Sequence, residues 1–284
     1  MSQKITNDNL NQWLKNPFRE TLIMGIINVT PDSFSDGGKY LELNMALEYS
    51  AKMINDGVDI IDIGGESTRP GAKVISIDQE LKRTIPLIEK IRSNSPNILI
   101  SIDTSKSEVA EKAILSGANI INDVSGLRND SNMISIASKY ETPIIIMHMQ
   151  GNPRNMQDNP KYTNIIKDIY SFFQKQIKIA LEGGLRLDQI ILDPGIGFGK
   201  SIKDNFILIN HLQEFCDLGL PVLIGPSKKS FIGLTLNESV DNRHEGTVAA
   251  VVSGILRGAR MVRVHDVKKI KQAVKITELI RTSE

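Results

Sequence analysis

Residues 22–38 read LIMGIINVTPDSFSDGG, an apolar run that turns polar at Asn28. Such a short apolar run is either a buried strand or part of a buried helix, and the nearby Pro31 and Gly37-Gly38 favour a strand followed by a loop. Packing alone gives no reason for a buried strand to end in hydroxyls, an amide and carboxylates. The same shape recurs about eight times along the chain, and this recurrence predicts the fold.

Eight apolar segments are predicted to form strands, and a helical pattern follows each of them. The predicted strands are 22–27, 58–63, 98–102, 118–121, 143–147, 189–192, 221–224 and 260–264. They are continuous apolar runs rather than alternations, so both faces of the sheet are buried and the strands are parallel. Eight such units in 284 residues predict an α/β fold, a single (β/α)8 TIM barrel. A doubly wound open sheet is less favoured, because no break in composition divides the chain.

The predicted organisation is a short N-terminal lead-in, residues 1–20, followed by the barrel domain, residues 21–284. The larger apolar residues of the lead-in are expected to cover the bottom of the core: Leu10, Trp13, Leu14 and Phe18. Because the barrel is one continuous domain, its functional side chains are expected at the carboxyl ends of its strands.

Composition and charge narrow the classes of partner. The chain is 40% hydrophobic and 24% charged, with a formal net charge of +1, so neither a nucleic acid nor a membrane surface is expected as a partner. Cys216 is the only cysteine, which excludes an intrachain disulfide. The sequence has no secretory signal and no apolar run of about 18 residues. A cytoplasmic protein is therefore expected.

Three strand ends carry a carboxylate or an amide: Asp103, Asn122 and Asp193. A single aspartate at a strand end often only caps the next helix. However, Asp103 precedes Ser105 and Glu108, which have the spacing of a capping box, and Asp193 precedes a Pro-Gly turn rather than a helix. Pointing into a common mouth, the three groups suit a ligand that presents several N–H donors in one plane.

Basic residues lie at other strand ends. Arg263 stands inside an apolar strand, where burial without an anionic partner would be costly. Together with His265, Arg69 and Thr68 it predicts a phosphate site. Lys229 follows the seventh predicted strand and adds a second cation to the mouth.

Oxygen ligands for Mg²⁺ are offered by Asn28 and by Asp32 and Asp36 in the loop that follows it. A P-loop and a zinc-binding motif are both absent from the sequence. The segment GIGFGKS, residues 195–201, lacks the first glycine of a P-loop, and the four histidines do not have the spacing of a zinc site.

Taken in order, eight motifs carry a family resemblance: MGIINVTPDSFSDGG, IDIGGESTRPGA, SIDTSK, INDVSG, MHMQGNP, LDPGIGFGK, SKKSFIG and RVHDV. Together they closely resemble the dihydropteroate synthase family of folate biosynthesis, over nearly all of residues 22–284. One departure is Lys228, where an arginine is common, whereas Lys229 matches the family's active-site lysine. The resemblance implies a transferase that joins 6-hydroxymethyl-7,8-dihydropterin diphosphate to p-aminobenzoate, releasing diphosphate and forming 7,8-dihydropteroate.

The resemblance also implies the roles of individual residues. The pterin ring is expected to contact Asp103, Asn122, Asp193, Lys229, Met147 and Arg263. The diphosphate is expected to contact Asn28, Thr68, Arg69, Arg263 and His265, with Asn28 also as a ligand of the Mg²⁺ cofactor. The p-aminobenzoate, and sulfonamide drugs that compete with it, are expected at Phe34, Thr68, Pro70, Phe198 and Ser227. The implied catalytic residues are Asp103, Lys229, Arg263 and Asn28.

The implied mechanism is dissociative and requires no protein nucleophile. Diphosphate departs first, the pterin methylene becomes cationic beside Asp103, and the arylamine then attacks. Residues 30–38 are predicted to form a glycine-hinged lid over the second substrate, with Phe34 as its cover.

Two alternatives stay open at the level of sequence. A non-catalytic pterin-binding homologue would keep the pterin residues and lose the first two loops, yet both loops are intact here. A corrinoid-linked folate methyltransferase on the same barrel would not need the basic set Arg69, Arg263 and His265. The family's usual homodimer makes the small-residue helix at 246–259, with the helices beside it, a candidate interface, and close packing on the barrel is the alternative for that helix.

Overall fold

The computed structural model describes residues 5–16, 18–30, 38–68 and 71–283, without the side chains of residues 7, 8 and 38–42. Within these ranges, eight strands form one parallel sheet. They are β1 (Leu22–Asn28), β2 (Ile60–Gly64), β3 (Leu99–Asp103), β4 (Ile120–Asp123), β5 (Ile144–Met147), β6 (Ile190–Asp193), β7 (Leu223–Ile224) and β8 (Met261–Val264). All eight predicted strands are present, and each end lies within two residues of its predicted position.

Helices alternate with the strands throughout the described part of the chain. They are α1 (Asn7–Lys15), α2 (Gly38–Asn55), α3 (Ile77–Asn94), α4 (Ser107–Leu115), α5 (Met133–Lys139), α6 (Ile165–Glu182), α7 (Ile202–Asn210), α8 (Gln213–Cys216), α9 (Ser230–Leu236), α10 (His244–Leu256) and α11 (Val267–Thr282). The helix expected from Asn44 begins earlier, at Gly38.

The sheet curls into a nearly closed barrel, which confirms the predicted α/β TIM-barrel class. The strand order is β6-β5-β4-β3-β2-β1-β8-β7, so β1 lies between β2 and β8. A single parallel bridge between Leu192 and Val222 joins the two ends of the sheet. There the Leu192 N–H donates to the Pro221 carbonyl at 2.9 Å.

The bottom of the barrel interior is apolar. Two residues of β1 and one of every other strand contribute to a buried cluster that includes Leu22, Met24, Ile60, Leu99, Ile120, Ile145, Ile191, Leu223 and Met261. From the lead-in, Leu10, Trp13 and Leu14 join this cluster, as expected, and Trp13 Nε1 donates to the Glu20 carbonyl at 2.8 Å. Phe18 was wrongly expected there: it is 83% exposed, because the chain turns away from the barrel before it enters β1.

The next interior layer is polar. Side chains alternate between the two faces of a strand, so residues two positions further along point into the same interior. Five of the eight positions are polar, namely Asp62, Ser101, Asn122, Asp193 and Arg263, and the other three are Ile26, Met147 and Gly225, which directly follows β7. The barrel is therefore filled from below by hydrocarbon and from above by amide, hydroxyl and charged groups, and those charges must neutralise one another.

The two expected capping boxes have different outcomes. Ser76 accepts from the Gln79 N–H at 3.2 Å and starts α3, as predicted. The box at Ser105 is wrong, because α4 starts two residues later at Ser107, whose N–H donates to Asp130 Oδ2 at 2.8 Å. The partner of this helix start comes from the loop after β4, and no local spacing reveals such a contact.

No helix in the described ranges is long and apolar enough to cross a membrane. The division between lead-in and barrel at residue 20 stays a prediction.

Candidate active site

A buried ion pair network links side chains of four strands at the mouth of the barrel. The guanidinium of Arg263 contacts Asp62 Oδ2 through Nε at 2.6 Å and Asp103 Oδ2 through Nη2 at 2.7 Å. Asn122 Nδ2 donates to the same Asp62 oxygen at 3.2 Å. Arg263 therefore has two carboxylate partners within the protein, and its expected contact with a phosphate stays a prediction. The network fixes side chains of β8, β2, β3 and β4 relative to one another.

Asp62 is the residue that sequence reasoning missed. It is fully buried inside β2, and its second oxygen, Oδ1, has no hydrogen-bond partner among the described residues. Its strand was read as a purely apolar run. The argument applied to Arg263, that a charge inside an apolar strand needs a partner, would have paired the two residues, because an isolated buried charge is rarely tolerated.

On the opposite side of the mouth, Asp193 and Lys229 approach the loop after β6. Asp193 Oδ1 accepts from the Gly195 N–H at 2.7 Å, so the expected turn is present. The Lys229 ammonium donates to the Ile196 carbonyl and lies 4.2 Å from the centre of the Phe198 ring. Gly197 is required here, because a Cβ at this positive-φ position would come within 2.6 Å of Lys229 Cδ.

Burial in the mouth brings the pKa values of an acid, Asp103, and a base, Lys229, towards each other. Burial raises the pKa of Asp103 to about 7, although the Arg263 charge opposes this shift. Burial lowers the pKa of Lys229 to about 7, and Asp193 opposes this shift. The pKa of Asp193 is also raised by burial, with Lys229 acting in the other direction. Both Asp103 and Lys229 therefore titrate near neutrality, as groups in active sites often do.

The rim is held by hydrogen bonds to His265. Its Nδ1 lies 3.0 Å from Ser227 Oγ, and its backbone N–H donates to the same hydroxyl at 3.2 Å. Its carbonyl accepts from the Tyr49 hydroxyl at 2.8 Å. These contacts hold the imidazole in a fixed position beside Ser227.

Two of the cavities at this end of the barrel share lining residues. One, of about 650 Å³, is lined by these residues expected at the site: Asn28, Thr68, Phe198, Ser227, Lys229, Arg263 and His265. The other, of about 400 Å³, is lined by Asp103 and Val124 on one side and by the loop after β2 on the other. Ser67 and Thr68 line both cavities, so the two spaces meet at the loop after β2.

The structure brings most of the expected site residues to this mouth. Asn122, Asp193 and Met147 are buried within the barrel interior beneath it. Other predictions fall on residues outside the described ranges: Asp32, Phe34 and Asp36 with the rest of the lid at 31–37, and Arg69 and Pro70 in the loop after β2.

Asn28 stands at the end of β1 against Gly64, where a Cβ would come within 3.3 Å of its Oδ1. This amide oxygen therefore lies on the rim close to the backbone of β2. Among the described residues, no group of three or more His, Cys, Asp or Glu side chains is arranged to hold a metal ion.

Sequence and structure comparisons agree on the family. The profile of the pterin binding enzyme family matches residues 24–265. A dihydropteroate synthase of Clostridium beijerinckii is 47% identical over 261 residues, which are 92% of this chain and 94% of that protein. The Yersinia pestis dihydropteroate synthase, solved with a sulfonamide drug complex, superposes with a TM-score of 0.88 at 42% identity, covering 93% of this chain and 95% of that one. The Xanthomonas albilineans dihydropteroate synthase with 4-aminobenzoic acid gives a TM-score of 0.88 at 38% identity, covering 94% and 95%.

The ion pair network supports a prediction about stability. We expect Asp62→Asn to lower the free energy of unfolding by about 3 kcal/mol, because it removes the charge facing Arg263 and brings an amide donor close to other donors. Ser101→Ala is the matched control: Ser101 lies opposite Asp62 in the register of β2 and β3 and is equally buried. Its loss is expected to change stability by less than about 1 kcal/mol. Chemical denaturation measures both, and an Asp62→Asn protein as stable as the control would contradict this account.

Proposed function

This chain belongs to the pterin binding enzyme family and has the function of a dihydropteroate synthase, and from that premise we propose which of its residues carry out each part of the reaction. The reaction joins 6-hydroxymethyl-7,8-dihydropterin diphosphate to p-aminobenzoate, and it yields 7,8-dihydropteroate and diphosphate. The two alternatives that the sequence left open, a non-catalytic homologue and a corrinoid-linked methyltransferase, have no support among the relatives named above.

The pterin ring enters the polar layer of the barrel interior. A pterin presents several N–H groups in one plane, and the strand-end oxygens of Asp103, Asn122 and Asp193 are acceptors of that geometry. Lys229 donates to the ring from the opposite side. Asp62 supports this arrangement, because it receives the amide N–H of Asn122 and so leaves the amide oxygen to face the ring. Met147 lines the pocket, and the planar guanidinium of Arg263 stacks on the ring.

The diphosphate lies outside the ring, at the rim. It is bound by Asn28, Thr68, Arg69, Arg263 and His265. The 650 Å³ cavity supports this assignment, because it is lined by the four described residues of the set: Asn28, Thr68, Arg263 and His265. His265 is well suited to the role, because Ser227 and Tyr49 already hold it through Nδ1 and the backbone.

The p-aminobenzoate binds beside Phe198 and Ser227, under Thr68, with Phe34 and Pro70 completing the site. A flat aromatic acid fits a position between the Phe198 ring and a hydroxyl rim, since the ring face offers apolar contact and the hydroxyls can donate to its carboxylate. The Xanthomonas albilineans relative binds 4-aminobenzoic acid, which is the same compound. The Yersinia pestis relative was solved with a sulfonamide drug complex, and we propose that such drugs occupy this subsite here.

The mechanism is dissociative. The C–O bond between the pterin methylene and the diphosphate breaks, and the electron pair leaves with the diphosphate. The methylene carbon becomes cationic, and the ionised Asp103 stabilises it from the end of β3. The neutral amine of p-aminobenzoate attacks this carbon, a C–N bond forms, and the amine loses a proton to solvent. Arg263 and His265 stabilise the charge that develops on the leaving diphosphate.

Asn28 is the residue that would hold Mg²⁺. Magnesium usually keeps several waters and is bound by one or two protein oxygens together with substrate phosphates. A single amide oxygen on the rim of the diphosphate cavity fits that mode of binding, because the substrate and water would supply the other ligands. When bound, the metal neutralises charge on the diphosphate and makes it a better leaving group.

The observation that carries this proposal is the Arg263 guanidinium held between Asp62 and Asp103 at the floor of the mouth. We expect the purified protein to form dihydropteroate from the two substrates with Mg²⁺, and to form none when a chelator removes the metal. Asp103→Asn should lose about 2–3 kcal/mol of transition-state stabilisation, about 30- to 150-fold in kcat/KM, because it removes the charge facing the cationic methylene.

Asp188→Asn is the matched control for this assay. Asp188 is paired with Lys15 at 3.1 Å at the opposite end of the barrel, just before β6. Its substitution removes the same charge and should leave kcat/KM unchanged. Equal activity of the Asp103→Asn protein and the wild type would refute the role of Asp103, and absence of product from folded wild-type protein would refute the proposed activity.

The opposed pKa shifts predict a bell-shaped pH profile for kcat/KM of the pterin substrate, with its maximum near pH 7. Asp103 must be ionised, and its raised pKa makes the rate fall as the pH drops below about 7. Lys229 must be protonated, and its lowered pKa makes the rate fall as the pH rises above about 7. Lys229→Arg should remove the alkaline fall, because a guanidinium stays protonated. A flat wild-type profile between about pH 5 and pH 9 would contradict both assignments.

The protein forms a homodimer through α11. Ile276, Leu279 and Ile280 lie at i, i+3 and i+4 on this helix and are 58%, 57% and 62% exposed. In α10, Gly254 packs on the barrel, because a Cβ there would come within 2.2 Å of Ile224 Cδ1 on β7, and a part for the rest of α10 in the interface stays a prediction.

Light scattering is expected to give about twice the 31.5 kDa chain mass for the wild type and one chain mass for Ile280→Lys. Leu115→Lys, on the equally exposed end of α4, serves as the control and should stay dimeric. A monomeric wild type, or a dimeric Ile280→Lys protein, would contradict this interface.

A further inference from the structure

A second buried ion network lies beside the site and has no role in the assignments above. The Lys106 ammonium donates to Glu66 Oε2 and, at 2.5 Å, to Glu80 Oε2. The side chains of Lys106 and Glu80 are 14% and 1% exposed, so this is not a solvated surface pair. Glu66 belongs to the loop after β2, Glu80 to the first turn of α3, and Lys106 immediately precedes α4.

The network connects two loops that carry site residues. Glu66 stands two positions before Thr68, and Lys106 stands three positions after Asp103. The start of the loop after β2 is fixed at a second point, since the Gly65 carbonyl accepts from Arg83 Nη1 at 2.8 Å. Gly65 itself lies directly against α3, where a Cβ would come within 2.8 Å of Thr84 Cγ2. The loop therefore leaves β2 in a position set by α3 and by Lys106.

The composition of the network is unbalanced. Two carboxylates share one ammonium, and Glu80 Oε1 has no hydrogen-bond partner among the described residues. A hydrophobic contact would fasten the loop to α3 without this electrostatic cost, because replacing buried ion pairs by apolar residues is often neutral or stabilising. Glu66, Glu80 and Lys106 also line the same 400 Å³ cavity as Asp103 and Thr68, so the network forms one wall of the active-site mouth.

We propose that Glu66 and Lys106 are positioning residues of the synthase: their ion pair fixes Thr68, in the loop after β2, relative to Asp103 at the end of β3. Through Thr68 the pair sets the affinity for p-aminobenzoate and for the diphosphate group, and it does not contact the pterin ring. This inference rests on the proposed function. The network also carries an excess of negative charge. This charge acts on Asp103 in the same direction as burial does, since Glu80 contributes to the raised pKa of Asp103.

The test is a comparison of substrate affinities in Glu66→Gln, which keeps the size of the side chain and removes its charge. Lys106→Met is a poor choice, because it would leave the buried Glu80 without a countercharge and would destabilise the fold. The KM for p-aminobenzoate is expected to rise about tenfold, since small displacements of binding groups have effects of this size. The dissociation constant of 6-hydroxymethylpterin, which has the ring and no diphosphate, should stay within about twofold of the wild type.

Two further variants separate positioning from general loss of structure. Lys106→Arg keeps a cation that can reach both carboxylates, and its KM for p-aminobenzoate should stay within about threefold of the wild type. Glu111→Gln is the matched control, because Glu111 pairs with Lys139 at 2.9 Å on the solvent-exposed side of α4. The KM for p-aminobenzoate and the dissociation constant of 6-hydroxymethylpterin should both be unchanged in that variant.

The outcomes are distinct. If Glu66→Gln lowers the midpoint of thermal unfolding and leaves the KM for p-aminobenzoate unchanged, the network is only structural and the proposal is overturned. Equal weakening of p-aminobenzoate and 6-hydroxymethylpterin would overturn it as well, since the effect would not pass through the loop. Failure of the wild type to form product would instead reject the proposed function, and wild-type turnover measured in the same assay distinguishes the two results.

Discussion

The structure of the mouth depends on one buried cation, the guanidinium of Arg263. An arginine side chain inside a barrel loses its hydration, and only close carboxylates with good geometry compensate for that loss. Asp62 and Asp103 supply them at 2.6 and 2.7 Å from two different strands. Because the guanidinium is planar and its donors are fixed in direction, it holds both carboxylates in one orientation. The positions of Asp62 and Asp103, and of Asn122 through Asp62, follow from this single constraint.

Most of the barrel could be read from the sequence because its signals are local. A strand buried on both faces is a continuous apolar run, and a strand end that bears function turns polar at once, as at Asn28 and Asp103. Ser76 shows the same point for helices, since its capping partner Gln79 is three residues away.

What the sequence did not reveal depends on contacts between distant residues. The start of α4 is satisfied by Asp130, 23 positions further along the chain, so the spacing at Ser105 was misleading. Phe18 has the composition of a core residue, yet the turn before β1 leaves it in solvent. Asp62 was hidden inside an apolar run, and only its contact with Arg263, 201 positions away, reveals its role. Lys106 is similar, because its two carboxylate partners belong to another loop and another helix.

Charge is distributed unevenly along the barrel axis, and this distribution bears on the proposed orientation of the substrate. Among the described residues of the interior, Asp62, Asp103 and Asp193 face two cations, Arg263 and Lys229, and the Glu66–Lys106–Glu80 network adds a further uncompensated carboxylate nearby. Such a region favours a neutral ring that becomes cationic and disfavours a diphosphate. At the rim, His265 and Asn28 suit an anion and its metal ion. This charge distribution supports the proposed orientation, in which the pterin ring points inward and the diphosphate outward. In the mechanism proposed above, the two charges that develop when the C–O bond breaks would then separate in the direction that the protein's own charges favour.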